Sequence, residues 1–340
     1  MSAEAVVGPA GAPSSTKVAI LGAGSLGTGM AAGLWRPGRQ FTLWTIEDDV
    51  ADSLRIYREN VKYLPAVKIP KEVGVTTSLE EALEGAGIVL FCVPSHVVRE
   101  VAQRVSGAAP SDAVVVSAAK GLERGSLKRM SEVMAEELPD AMARRIVVLS
   151  GPSLAAELAE GVPTGVDAAC DDLELARFVR GCLVGKRFRF KLRRDVIGVE
   201  AGGTFKNLYA IGAGICDGLG LGNNSKAALI TKALAEMITC ARAMGGKAST
   251  LHGLAGLGDL VVTSTSARSR NRTLGEHLGR GHKVADVSRG MVSVTEGVEA
   301  AHSAHDLAQR HKLRIPLAET IHRILNGEEK PEGIIKAALP

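Results

Sequence analysis

Between Lys17 and Asp195 the chain alternates short, continuously apolar runs with longer segments of helical spacing. The runs KVAIL (17–21), FTLW (41–44), IVLFCV (88–93), AVVVSA (113–118) and IVVLS (146–150) predict strands buried on both faces. Segments 47–60, 78–84, 95–105, 126–137 and 153–160 carry helical spacing or helix-start signals. Ser78 and Glu81 stand in capping-box register, and Ser95 and Ser153 are candidate N-caps. This alternation predicts a parallel sheet with helices on both sides, which TGVDAAC (164–170) and KRFRFKL (186–192) are candidates to extend. After Asp195 strand signals almost vanish. SKAALITKALAEMITCARAMG (225–245) and segments 295–311 and 316–326 repeat apolar residues at helical spacing. The chain therefore reads as α/β, with a disordered tail over 1–16, a parallel-sheet domain over 17–195 and an all-α domain over 196–340.

Composition narrows the classes of function. With 340 residues, 46% hydrophobic and 23% charged, two cores are easily filled. A net charge of +4, with the basic residues scattered, suits a small anion and gives no argument for nucleic acid; 3% aromatics supply no base-stacking platform. The cysteines Cys92, Cys170, Cys182, Cys216 and Cys240 are odd in number, widely spaced and set among apolar neighbours, which reads as buried free thiols in a reducing compartment. The first sixteen residues lack the basic start and apolar core of a signal peptide, and no run reaches the roughly 18 residues of a membrane span. A cytoplasmic protein is expected.

GAGSLG (22–27) follows the first strand and opens a helix. Gly22 suits the tight turn, Gly24 a close approach of backbone to a pyrophosphate, and Gly27 close packing of helix on strand. The amides near Ser25 and Leu26 would hold the phosphates. In this context the glycines predict a dinucleotide-binding domain of Rossmann type. Just past the second strand, Glu47 is placed to accept ribose hydroxyls and to repel the extra phosphate of NADP, which favours NAD; EDD (47–49) at a helix start also suits the helix dipole. Arg36 and Arg39 read as solvated turn residues.

Charged residues in apolar company mark the second half of the site. Lys206 lies in GGTFKNLYAIGAGICDGLG (202–220), with no acid before Asp217, so it either snorkels to water or is held in a low-dielectric site. Lys120, in SAAKGLE, falls at the carboxyl edge of the sheet, where ligands of open α/β sheets bind. SGPS (150–153) sits at the next strand exit. Asp259, in GLAGLGDLVVTST (253–265), needs a partner or a raised pKa. SARSRNRT (266–273) offers Arg268, Arg270 and Arg272, of which one is expected to grip a phosphate and at least two to face water. His302 and His305 suit a polar helix face better than a metal site, and no metal is expected.

Taken in order, the fingerprint, SAAKGLE, SGPS, FKN, GLGDLVVT and RSRN strongly resemble NAD(P)-dependent glycerol-3-phosphate dehydrogenases, from Lys17 to about residue 330. The resemblance implies a Rossmann domain followed by a helical domain, a site between them, and interconversion of sn-glycerol 3-phosphate and dihydroxyacetone phosphate by a homodimer. It implies Lys206 as proton acceptor, Lys120 as a second lysine near substrate and cofactor, and Asp259 as the acid beside them. Gly151, Ser153, Thr263, Ser269, Arg270 and Asn271 match substrate contacts. Ala155, Arg270, Val294 and Glu296 match cofactor contacts. Burial and Lys120 would lower the Lys206 pKa and Asp259 would raise it.

Departures from the pattern leave other readings open. Thr204 stands where the family usually has alanine, and Ile46 where many bacterial members have a basic residue for the NADP phosphate. The run IEDD with NVKYLP (60–65) strengthens NAD over NADP. The alternatives are a paralogue acting on another hydroxylated, phosphorylated or carrier-bound substrate, and a non-catalytic NAD-sensing module.

Overall fold

A computed structural model describes residues 16–185, 187–289 and 296–339. Val294, and all but the last residue of the tail expected over 1–16, lie outside them.

The apolar runs become the strands of one sheet. In chain order the strands are β1 (Lys17–Leu21), β2 (Phe41–Trp44), β3 (Glu59–Asn60), β4 (Leu64–Lys68), β5 (Gly74–Thr76), β6 (Ala86–Phe91), β7 (Val114–Ser117), β8 (Ile146–Ser150), β9 (Thr164–Ala169) and β10 (Phe188–Arg193). Eight of them form the sheet in the order β10-β9-β8-β7-β6-β1-β2-β5, while β3 and β4 pair as a separate hairpin. All pairings within the sheet are parallel except β8 with β9. Both faces are covered: Val18, Ile20, Ile88, Leu90, Val114 and Val116 point into one core, and Ala19, Leu21, Val89, Phe91 and Val115 into the other. This is why the strands show no polar alternation.

Several helices start differently from the sequence expectation. Ser78 accepts from the Glu81 amide at 3.1 Å, but the Glu81 side chain turns to Thr76 instead of closing the box. Ser95 is the first residue of a short 3₁₀ turn rather than its cap. Ser153 caps nothing: its hydroxyl donates back to the Gly151 carbonyl at 3.0 Å, and the next helix, Ala155–Ala159, starts after Leu154. Segment 126–137 is helical only from Met130. Arg39 is not a solvated turn residue, since its guanidinium reaches the carbonyls of Gly181 (3.1 Å) and Cys182.

From Val196 onward the described residues contain helices and no strand. The 23-residue helix Val196–Gly218 is buried along nearly its whole length, and its apolar residues Phe205, Leu208, Ile211 and Ile215 centre a second core. Helix Arg270–Gly279 packs on it backbone to backbone. A Cβ on Gly214 would stand 1.9 Å from the Arg272 carbonyl oxygen, and one on Gly275 would stand 1.9 Å from that of Ile211. Gly218 and Gly279, one turn further along each helix, meet the opposing backbone in the same way. Buried Glu236 ties helix Gly222–Ala243 to Pro316–Leu325, accepting from the amides of Leu317 and Ala318 at 2.9 Å each and from the Tyr209 hydroxyl at 3.2 Å. It satisfies donors that every helix N-terminus leaves open.

The five cysteines are free, four of them buried and Cys92 partly exposed. Among the described residues no helix is long and apolar enough to cross a membrane, and no group of His, Cys, Asp and Glu is arranged to hold a metal ion.

Candidate active site

The glycine loop closes β1 onto helix Ser25–Leu34 as the spacing requires. Gly22 has φ +103°, a conformation that favours glycine, and a Cβ on Gly27 would stand 1.9 Å from the Gly22 carbonyl oxygen. Gly24 differs, because a Cβ there would meet nothing within 4 Å. It borders a cavity of about 350 Å³ that is also lined by Ser25, Leu26, Glu47, Arg270 and Glu296. An open space over a helix N-terminus, bordered by a residue without a side chain, fits a pyrophosphate.

At one end of this cavity Glu47 is already engaged. The Tyr63 hydroxyl donates to its two carboxylate oxygens at 2.9 and 3.1 Å, and the Lys62 ammonium pairs with it and with Asp49 at 3.1 Å. The carboxylate is therefore not a bare negative charge, as the sequence pattern implied, but one with a cation beside it. Tyr63 and Lys62 come from the hairpin turn between β3 and β4, whose short strands carry no periodic signal. Ser25 is tied to the same turn, donating to the Tyr63 carbonyl at 2.6 Å. Ile46 lines the cavity and is 70% exposed, so no cation occupies that position.

Behind the stretch of cavity wall formed by Ala119 and Glu296 lies a group of charged residues that do not themselves line the cavity. Lys206 does not snorkel: it is 7% exposed, and its ammonium stands 3.0 Å from Asp259 Oδ1 and donates to Thr263 Oγ1 at 2.8 Å. Asp259, 1% exposed, takes Lys120 on its other oxygen at 2.7 Å. Thr263 in turn donates to Asp259 Oδ1 at 3.3 Å. Two lysines thus share one buried carboxylate. Burial pushes the Lys206 pKa down and Asp259 pushes it up, with Lys120 lowering it further and Glu296 raising it; the balance is about 8. Burial alone would raise the Asp259 carboxyl, but Lys120 and Lys206 hold it below its ordinary value.

The arginine run resolves into separate roles. Arg268 is exposed beside Glu160, whereas Arg272 does not face water but pairs with Asp217 at 2.7 Å and Glu276 at 3.4 Å. Arg270 is exposed at the first turn of its helix and lines the dinucleotide cavity. Ser269 is the N-cap of that helix, accepting from the Arg272 amide at 3.2 Å. Asn271 is buried, donating to Asn207 Oδ1 at 3.0 Å and accepting from the Gly297 amide at 2.9 Å. Asn207 completes the chain by donating to Glu296 at 3.0 Å. The residue after Lys206 therefore links the lysine helix to the cavity wall. Its adjacency to the lysine in FKN was the available signal.

Gly151 has φ +144° and packs on Val166, while Ala155 abuts Gly29 of the glycine helix. Ser150 and Thr204 hydroxyls are buried without hydrogen-bond partners. His302 and His305 gather with His322, which stacks on His305 and lies 3.1 Å from His302 Nδ1, away from this site.

Family models match nearly all of this frame. The N-terminal model of NAD-dependent glycerol-3-phosphate dehydrogenase covers residues 17–176, and the C-terminal model covers residues 195–336. The chain belongs to that family. A relative from Koribacter versatilis (strain Ellin345), glycerol-3-phosphate dehydrogenase (NAD(P)+), is 45% identical over 94% of this chain and 96% of its own length. One of the same description from Pelotomaculum thermopropionicum is 44% identical over 92% of this chain and 89% of its own. The crystal structure of glycerol-3-phosphate dehydrogenase from Coxiella burnetii superposes with a TM-score of 0.90 at 39% identity, covering 95% of this chain and 98% of that one. Membership in the glycerol-3-phosphate dehydrogenase family makes this chain an NAD(P)-dependent oxidoreductase, and the cavity bordered by Gly24 has the form such a cofactor requires.

Proposed function

We propose that the chain interconverts sn-glycerol 3-phosphate and dihydroxyacetone phosphate, with Lys206 as general acid and base. The observation that carries this reading is the cluster of buried Lys206 and Asp259 with partly buried Lys120, which follows the cavity-lining residue Ala119 in the chain. When bound, the dinucleotide gives or takes the hydride. The chain's task is the proton on the reacting oxygen. At a pKa of about 8, Lys206 is neutral in about a tenth of molecules near pH 7, against well under a thousandth for a free lysine. It takes the hydroxyl proton in oxidation, and its protonated form donates to the developing alkoxide in reduction. Asp259 keeps both forms within reach of neutral pH, and Lys120 adds a second positive charge toward substrate and cofactor.

Arg270 grips the substrate phosphate, since a planar guanidinium meets two phosphate oxygens at once. Gly151, Ser153, Thr263, Ser269 and Asn271 complete the substrate pocket in this reading, and Ala155, Val294 and Glu296 the cofactor's. NAD is preferred because Ile46 offers no cation to a ribose phosphate and Glu47 and Asp49 hold the nearby Lys62 in ion pairs, with NADP the lesser partner. The division at residue 195, a homodimer and a cytoplasmic setting belong to the same proposal; sedimentation of the purified protein distinguishes dimer from monomer.

The test is oxidation of NADH by the purified protein across a panel of ketones. Dihydroxyacetone phosphate is expected to be the efficient substrate. Arg270→Ala lowers kcat/KM for it by at least roughly 100-fold, about 2.7 kcal/mol, while unphosphorylated dihydroxyacetone loses far less. Equal losses for both ketones would remove Arg270 from phosphate recognition.

A further inference from the structure

Strand β9 carries one acid in an otherwise apolar run, TGVDAAC, and Asp167 is fully buried. A buried carboxylate is costly unless both oxygens are satisfied. Here Oδ1 accepts from Arg193 Nε of the neighbouring strand β10 at 2.6 Å. Oδ2 leaves the sheet and accepts from the backbone amide of Ala255 at 2.9 Å.

Ala255 belongs to a single π-helical turn, Leu254–Gly258, that runs directly into helix Asp259–Thr265. Such turns are rare, and they shift the register of every residue that follows. This one is clamped from two sides. Asp167 holds its amide, and on the other side the Ala255 carbonyl presses on the lysine helix, where a Cβ on Gly202 would stand 2.4 Å from it. Arg193 passes beside Gly253 at the entrance to the turn, 2.4 Å from where a Cβ would sit. One turn beyond Ala255 comes Asp259.

We propose that Asp167, backed by Arg193, is a positioning residue for the reaction: by holding the Ala255 amide it fixes the turn that presents Asp259 between Lys120 and Lys206. This rests on the site reading above and extends it to a residue that touches neither substrate nor cofactor. Loss of the anchor lets Asp259 drift from Lys206. The charged groups acting on Lys206 are Asp259, Lys120 and Glu296, and weakening the first leaves the amine a stronger acid.

The experiment compares two double variants that both lack the ion pair. Asp167→Asn with Arg193→Leu retains an acceptor for Ala255, and Asp167→Leu with Arg193→Leu does not. Replacing a buried ion pair by apolar groups is often neutral for stability, so both are expected to fold and to bind NADH as the wild type does. In the leucine pair, the pH at which kcat/KM for dihydroxyacetone phosphate reduction begins to fall should move down by about one unit. The loss in kcat/KM should be about two- to threefold near neutral pH and approach about tenfold well above pH 8. The asparagine pair should keep the wild-type limb. Asp167→Ser with Arg193→Leu, too short to reach Ala255, gives the same comparison if the leucine pair fails to fold. A limb unmoved in every variant lacking the acceptor overturns the positioning role. Asp259→Asn, measured in parallel, separates the two ideas: if it too leaves the limb in place, the site reading falls first and takes this inference with it.

Discussion

Asp259→Asn removes the charge shared by buried Lys206 and partly buried Lys120 while keeping the shape of the side chain. At 3.0 Å from Lys206, and with an effective dielectric constant of about 20, the lost attraction is roughly 5.5 kcal/mol, or about 4 pKa units. The asparagine carbonyl can still accept from the ammonium, so we take about half as a lower bound. Lys206 then falls from about 8 to about 6. Near pH 7.5 the protonated fraction drops from about three-quarters to about 3%, so reduction of dihydroxyacetone phosphate slows at least about 20-fold. The substitution leaves the overall equilibrium untouched, so kcat/KM for oxidation falls by the same factor at the same pH. The assay is kcat/KM for reduction as a function of pH, with the wild type alongside and NADH affinity measured separately. The deficit should shrink steadily as pH falls, because acid restores the protonated amine. A deficit constant across pH would refute the electrostatic account and leave only a geometric one; full activity near neutral pH would remove Asp259 from the mechanism.

Other perturbations test the remaining parts. Gly24→Ala points into open space and should leave Tm unchanged while weakening NADH binding about tenfold; Gly27→Ala drives a methyl into the Gly22 carbonyl and should lower stability by about 1–3 kcal/mol, read by thermal unfolding. Glu47→Gln frees Lys62 for a ribose phosphate and should raise the NADPH-to-NADH ratio of kcat/KM by roughly tenfold, and an unchanged ratio would show that the Glu47–Lys62 pair does not set cofactor choice. Thr204→Val removes a buried hydroxyl without a partner and keeps the side-chain shape, so it should stabilise by about 1 kcal/mol, a rise in Tm of roughly 2 °C.

Much of this architecture was legible in the chain. Strands such as IVVLS are buried on both faces, so apolar content alone marks them, and the glycine spacing is a steric requirement that survives in one dimension. The direction of the β8–β9 pairing was not legible, because an apolar run reports burial and not polarity. Nor were β3, β4 and β5, which are two to five residues long, with β4 mostly exposed despite its apolar residues. Ser95 and Ser153 looked like caps because capping is a local signal, but the local alternative, a hydroxyl turned back to its own turn in the case of Ser153, uses the same residue. The lysine in its apolar helix stood out at once. Its hydrogen-bond partner Thr263 is 57 positions away, and the carboxylate joining it to Lys120 is 139 positions from that second lysine, so resemblance linked them and spacing could not. The Asp167–Ala255 contact spans 88 positions and left only an acid out of place in a strand.

The paired glycines of the lysine helix and helix Arg270–Gly279 have a consequence for substrate size. With Gly214 and Gly218 set against Arg272 and Glu276, and Gly275 and Gly279 against Ile211 and Ile215, the two backbones touch and leave no compressible layer of side chains between them. Lys206 rides on one of these helices and Arg270 begins the other. The interval between the Cα positions of Lys206 and Arg270 is therefore a property of two locked backbones, and in the proposed reading, where these residues hold the two ends of the substrate, it behaves as a ruler. A ketone with its phosphate one carbon further from the carbonyl cannot be accommodated by letting the helices slide; it must bend, or leave one end unheld.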